Sequence, residues 1–250
     1  MAGHSKWSTI KRKKSKVDAE RGKIFTKISR EIMVAVKQGG SDPDGNFRLK
    51  LCIQKAKDNN MPNDNINRVI QKAAGSGDSD AYEELSYEGY GPGGTAVLCL
   101  VLTDNRNRTA GEIRYIFSRN DGNLGESGCV SWMFERKGQI NLELGDQDED
   151  ELMMRALDAG AEDLDVQDGL AEVITDPELL TVVRASLEKA GFKIIDAEIV
   201  MRPANTVEIT DVEQAKNLLK LIDALEENDD VQAVYSNYDI ADEIMFKLDH

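Results

Sequence analysis

Residues 136–202 read RKGQINLELGDQDEDELMMRALDAGAEDLDVQDGLAEVITDPELLTVVRASLEKAGFKIIDAEIVMR. Ile140, Leu142 and Leu144 alternate with polar neighbours, as in a half-buried strand. The acidic run Asp146–Glu151 then opens a helix bearing Leu152, Met153, Ala156 and Leu157. Carboxylates at a helix N-terminus complement its dipole, so that run needs no metal to explain it. Short strands are expected at 163–166 and 170–175, a helix over 177–190 with Pro177 in its first turn, and a strand over 193–201. Strand-helix-strand-strand-helix-strand is the order of the ferredoxin-like, split βαβ unit.

Working outward, the pattern after Pro203 predicts a strand at 207–209. A helix over 212–227 follows, carrying Ala215, Leu218, Leu219, Ile222 and Leu225, and then a strand at 231–235. This tail lacks a strand-helix-strand to complete it. Residues 82–135 supply one: a buried-type strand at 96–102 after the turn GPGG, and a helix over 109–120 with Ala110, Ile113, Ile116 and Phe117 on one side. The alternating Val130, Trp132 and Phe134 then read as a further strand. The expected architecture is α+β, with a discontinuous α/β domain (82–135 and 204–240) into which 136–203 is inserted. Both α/β parts are read as ferredoxin-like.

Upstream of the Gly/Ser/Asp linker at 75–81 lies a helical domain, 1–75. Ile24, Ile28, Ile32 and Val36 place one helix over 17–37, stopped by Gly39-Gly40. Leu49, Cys52, Ile53 and Ala56 mark a second over 46–58. A third follows NNMP (59–62), with Asn63 read as its N-cap and Ile66, Val69, Ile70 and Ala73 on its apolar face. The second and third helices have the spacing of a helix-turn-helix, but Asp64 at the start of the third would repel phosphates. A plain three-helix bundle is the simpler reading.

Charge divides the chain in the same place. The whole carries 31 Lys+Arg against 46 Asp+Glu, a net of −15. Residues 1–74 hold 17 against 7, a net of +10, which leaves 14 against 39, a net of −25, for the rest. A basic module on an acidic body focuses any polyanion contact onto the module. Lys6, Lys11, Arg12, Lys13, Lys14 and Lys16 lie in an arm expected to be loosely ordered until it meets a partner, with Trp7 and His4 available to stack on bases. Arg21 follows, and Lys23, Lys27 and Arg30 sit at i, i+4 and i+7, on one helix face. These ten cations form the expected phosphate-binding set.

The remaining motifs point elsewhere. YEGYGPGGT (87–95) precedes a strand and lacks a P-loop lysine, so it reads as a tight turn, with Tyr87 and Tyr90 available to a surface if exposed. In TDNRNRT (103–109) the Asn and Thr residues suit a helix cap, while Arg106 and Arg108 admit two readings, an interdomain salt bridge or a second anion contact. Asp229-Asp230 lacks calcium-loop spacing and reads as a solvated helix end. The two histidines, His4 and His250, stand near opposite ends and the three cysteines are widely spaced. No zinc cluster, Ser-His-Asp or Cys-His site is expected, hence no enzyme activity, no cofactor, no metal and no small-molecule substrate. No apolar run approaches the ~18 residues of a membrane span. With polar, basic first residues and no secretory pattern, a cytoplasmic protein without membrane contact is expected.

The segments AGHSKW, RGKIFTK, GGSDPDGNFRL, NNMP, YEGYGPGGTA, TDNRNRT and DGNLG stand here in the order seen in the YebC/PmpR family, which the chain resembles over essentially its full length. That resemblance implies three domains, a helical one and two α/β domains, one inserted in the other. It implies a DNA-binding transcriptional regulator; relatives that include a mitochondrial translational activator imply the alternative, a translation factor acting on the ribosome through ribosomal RNA. It supplies no catalytic residues. The stretch after AGHSKW, STIKRKKSK, is richer in lysine than the family pattern, which leaves base preference open.

Overall fold

Alternation in the inserted segment becomes a sheet face. In the computed structural model, which describes residues 21–75 and 82–248, strand β4 is Phe134–Glu143, followed by α5 (Glu149–Asp158), β5 (Ala161–Gln167), β6 (Leu170–Thr175), α6 (Leu180–Lys189) and β7 (Lys193–Pro203). The sheet order is β5-β6-β4-β7, the split βαβ arrangement, with β4 and β5 both antiparallel to β6. Register pairs Ile140 with Val173 and Leu142 with Ala171. These four side chains share the core with Leu152 and Ala156 of α5 and Leu180, Val183 and Leu187 of α6, all at most 1% exposed. Each such Leu or Ile contributes about 1.5–3 kcal/mol of transfer free energy. Asp148 caps α5 by accepting from the Asp150 amide, so the acidic run is a helix start. Residues 135–202 form one compact unit.

The other unit comprises 1–134 with 203–250. Its three N-terminal helices are α1 (Arg21–Gly39), α2 (Phe47–Asp58) and α3 (Asn63–Gly75). Ile28, Ile32, Ala35 and Val36 of α1 pack with Leu49, Cys52 and Ala56 of α2 and Ile66 and Ala73 of α3. The motif GGSDPDGN builds the corner between the first two. Asn46 is buried; its Oδ1 accepts from the Leu49 amide at 3.0 Å as the α2 N-cap, while Nδ2 donates to the carbonyls of Ala35 (2.7 Å) and Gly40 (2.8 Å). A Cβ on Gly39 would stand 2.7 Å from that amide, so the close approach requires glycine.

The α/β part of this unit holds β1 (Glu83–Tyr90), β2 (Ala96–Thr103), α4 (Arg106–Arg119), β3 (Asn123–Leu124), β8 (Val207–Ile209), α7 (Val212–Glu227), β9 (Val231–Ser236), β10 (Tyr238–Ile240) and α8 (Asp242–Leu248). One sheet runs β3-β1-β2-β9; β8 and β10 form a separate parallel pair. Phe117, Leu218, Leu221 and Leu225 of the helices bury Val97, Cys99, Val101 and Val231 of the sheet. The architecture is α+β: three N-terminal helices, then mixed helix-sheet parts with antiparallel sheets.

Three local outcomes differ from the sequence reading. Strand β1 covers 83–90, where the sequence reading placed no strand and took 87–95 as a turn; its burial is too patchy to leave an alternating signal. Strand 207–209 pairs with β10 instead of entering the larger sheet. Residues 130–134 do not form a strand before Phe134, because Ser131–Met133 is a single 3₁₀ turn. The cause is Glu88, 3% exposed, whose carboxylate accepts from the amides of Gly128 (2.8 Å), Val130 (2.9 Å) and Ser131 (2.7 Å). Amides bound to a carboxylate are not available to a ladder.

Candidate nucleic-acid interface

Of the cations read as phosphate ligands, Lys6, Lys11, Arg12, Lys13, Lys14 and Lys16 lie outside the described residues. Arg21 begins α1. Lys23 is exposed on α1. Lys27 and Arg30, on the same face, are occupied within the molecule. Lys27 Nζ donates to the Glu226 carbonyl at 2.7 Å, and Arg30 NH1 donates to the Asp229 carbonyl at 2.5 Å and to Asp230 Oδ1 at 2.9 Å. The acceptors lie at and just beyond the C-terminus of α7, where unpaired carbonyls and the negative end of the dipole attract cations. Burial pulls the Lys27 ammonium below its ordinary pKa, against the opposing pull of Glu226 and Asp229.

Asp230 is the centre of this contact. It is 4% exposed, not the solvated helix end that sequence suggested. Its Oδ2 accepts from Thr109 Oγ1 at 2.6 Å, Arg108 NH2 at 2.7 Å and Thr103 Oγ1 at 3.1 Å. Its backbone carbonyl accepts from the Leu102 amide. Burial pushes the carboxyl upward, but the bonds from Thr109, Arg108 and Thr103, with the Arg108 charge, outweigh it and hold the pKa below the ordinary value. The motif TDNRNRT is thereby accounted for: Asn105 caps α4 by accepting from the Arg108 amide, while Thr103, Arg108 and Thr109 clamp the carboxylate. Arg108 makes salt bridges to Asp230 and to Asp104 (2.8 Å), both within the discontinuous α/β part and not between domains as one of its two readings had it. Arg106 is exposed and has no ion-pair partner among the described residues.

A second tie joins the helices to β1. Arg48 of α2 pairs with Glu84, and Gln38 of α1 donates to the same carboxylate at 3.3 Å. The hydrogen bond from Arg48 holds the Glu84 pKa below its ordinary value.

Exposed cations that sequence reasoning passed over are Lys50 and Lys57 of α2 and Arg68 and Lys72 of α3. The available signal was their spacing: i, i+7 on α2 and i, i+4 on α3, opposite in phase to the apolar residues. Among the described residues no group of His, Cys, Asp and Glu could hold a metal ion, and no helix is long and apolar enough to cross a membrane.

A buried carboxylate clamp thus fastens the N-terminal helices to the α/β part of their unit. Residues 5–76 match the model of the TACO1/YebC protein N-terminal domain, and residues 82–238 match that of the TACO1/YebC second and third domain. The chain belongs to the TACO1/YebC family. It is 57% identical over 250 residues to a probable transcriptional regulatory protein of Halothermothrix orenii, covering 99% of each chain. It is 58% identical over 244 residues to one of Pelotomaculum thermopropionicum, covering 97% of this chain and 100% of that one. The crystal structure of a conserved hypothetical protein from Aquifex aeolicus matches with a TM-score of 0.83 at 48% identity, covering 91% of this chain and 93% of that one.

Proposed function

We propose that this protein regulates gene expression by binding nucleic acid through its N-terminal module, with DNA as the first target. The observation that carries the reading is the segregation of charge, +10 over residues 1–74 against −25 over the remainder. The names of the relatives, probable transcriptional regulatory proteins, point the same way. In this reading Lys6, Lys11, Arg12, Lys13, Lys14, Lys16, Arg21 and Lys23 neutralise phosphates. Lys27 and Arg30 carry the same electrostatic role toward the end of α7, and so hold the module in place from behind. The work is binding, not catalysis, in the cytoplasm.

One observation favours a second target, structured ribosomal RNA on the ribosome. Asp64 is exposed in the first turn of α3, the helix whose N-terminus would enter a major groove in a helix-turn-helix. Sequence readout of duplex DNA then lacks its usual instrument, whereas cations outside any fixed groove geometry suit an irregular RNA surface.

Crosslinking in cells followed by sequencing of the bound nucleic acid separates the two: promoter DNA supports the first, ribosomal RNA with little promoter DNA overturns it in favour of the second. Replacing Lys11, Arg12, Lys13 and Lys14 together with Ala should weaken binding to all sequences and flatten the salt slope by up to about 3 to 4 units. An unchanged slope would remove the arm from the phosphate contact.

A further inference from the structure

Between α1 and α3, closed on one side by Tyr82, lies an open groove of about 390 Å³. That volume is at the lower end of the roughly 300–1,000 Å³ of small-molecule sites. Phe25 and Met33 of α1 and Val69 of α3 give it apolar walls. Tyr82 is held in place by stacking under the Arg30 guanidinium, 5.4 Å from the ring centroid, and Arg30 is itself fixed by the Asp229 carbonyl and Asp230. At the rim, Asn65 and Arg68 stand at i and i+3 on α3, and their side chains have no hydrogen-bond or ion-pair partner among the described residues. No carboxylate lines the groove.

We infer that this groove holds one unpaired nucleotide of the bound strand, a step that rests on the nucleic-acid reading above. Each component of a nucleotide has its complement. Aromatic rings offer the π-faces on which an unstacked base sits. The free amide of Asn65 has the donor and acceptor that a base edge requires. The unpaired guanidinium of Arg68 suits the attached phosphate. An acidic peptide would also meet the arginine charge but would leave the aromatic walls without a stacking partner, so the walls favour a base. Phe25 also stands one helical turn from Arg21, at i, i+4 on α1, a cation of the proposed phosphate set.

The test is fluorescence anisotropy of the full chain with two short labelled duplexes, one carrying a single bulged nucleotide and one fully paired, each made as DNA and as RNA. The bulged duplex should bind about 5- to 100-fold tighter, the range that one stacked base contributes. Asn65→Ala with Arg68→Ala, the first half-buried and the second exposed on α3, should erase that preference and leave binding of the paired duplex within a few-fold. Tyr82→Ala should reduce the preference as an independent variant. Equal affinity for the two duplexes overturns the inference while leaving the nucleic-acid reading intact. A preference that survives all three substitutions overturns it also, since stacking would then occur elsewhere. A preference that emerges only on deleting residues 1–20 would assign the groove to the chain's own arm. Failure of every duplex to bind removes the nucleic-acid reading itself, and the inference falls with it.

Discussion

Arg30 and Arg48 each tie the N-terminal helices to the α/β part of their unit, and they do so in opposite surroundings. Arg30 retains 17% side-chain exposure and meets a carboxylate, Asp230, that retains 5%. Arg48 and Glu84 retain 39% and 43%. At the first contact the carboxylate is also bonded by Arg108, Thr103 and Thr109, three donors from the β2–α4 junction. At the second, among the described residues, only Gln38 assists. In water-exposed surroundings a charge pair competes with solvent and is worth little; in buried surroundings the pair gains little net, yet loss of one partner strands the others. The buried joint is therefore expected to fix the position of the module, and the exposed one to be dispensable.

Asp230→Ala should break the comparison most visibly. It takes the buried carboxylate away from Arg30, Arg108 and the hydroxyls of Thr103 and Thr109, and a loss of about 3–5 kcal/mol in unfolding free energy is expected. The urea midpoint followed by circular dichroism reads it. A loss below about 1 kcal/mol would mean that the clamp is no stronger than a surface pair.

Asn46→Ala comes next, at about 1–3 kcal/mol by the same measurement. It removes the α2 cap and leaves the Ala35 carbonyl without that donor. This loss should be confined to the helices and leave the Asp230 clamp formed. Hydrogen exchange at the Leu102 amide, which donates to the Asp230 carbonyl, would report the clamp's integrity.

Acidity sharpens the same contrast. Asp230 and Glu88 are both held below their ordinary values of 3.8 and 4.5; burial opposes this, and hydrogen bonds outweigh it. Because the unfolded chain binds protons more readily at these sites, their contribution is complete above about pH 4.5 and is lost as pH falls through the folded values. Urea midpoints taken downward from pH 6 should fall more steeply in the wild type than in Asp230→Asn. Parallel curves would show that Asp230 does not titrate differently in the folded chain.

How much of this was legible beforehand follows from distance along the chain. The insert was readable because Ile140, Leu142 and Leu144 and the helix stripes after them are local patterns, and local patterns specify local elements. The joint was not. Asp230 is 121 to 127 residues from Thr109, Arg108 and Thr103 and 200 from Arg30, and no periodicity records such a meeting. Lys23, Lys27 and Arg30 were correctly placed on one face, but a helix C-terminus followed by a buried carboxylate presents oxygen acceptors and negative potential much as a phosphate does. Sequence identified the complement of an anion without identifying which anion. Strand β1 escaped for a different reason: EELSYEGY exposes residues on both faces, so its strand character comes from its partner β2, whose continuous apolar run was plain.

The smallest effect is expected at Arg48. Arg48→Ala removes a pair whose members are both more than one-third exposed, and solvent and salt already screen it, so a change of about 0–1 kcal/mol is expected. Whatever effect remains should shrink further as ionic strength rises, because screening over a Debye length of about 8 Å already applies at physiological salt. The low pKa of Glu84 depends chiefly on the hydrogen bond from Arg48, so in the variant the Glu84 carboxyl should return toward its ordinary value, as carbon-detected NMR titration would show. If instead Arg48→Ala costs as much as Asp230→Ala, exposure is not what separates the two joints. The helices would then be held along their whole contact with β1, and not mainly at the clamp.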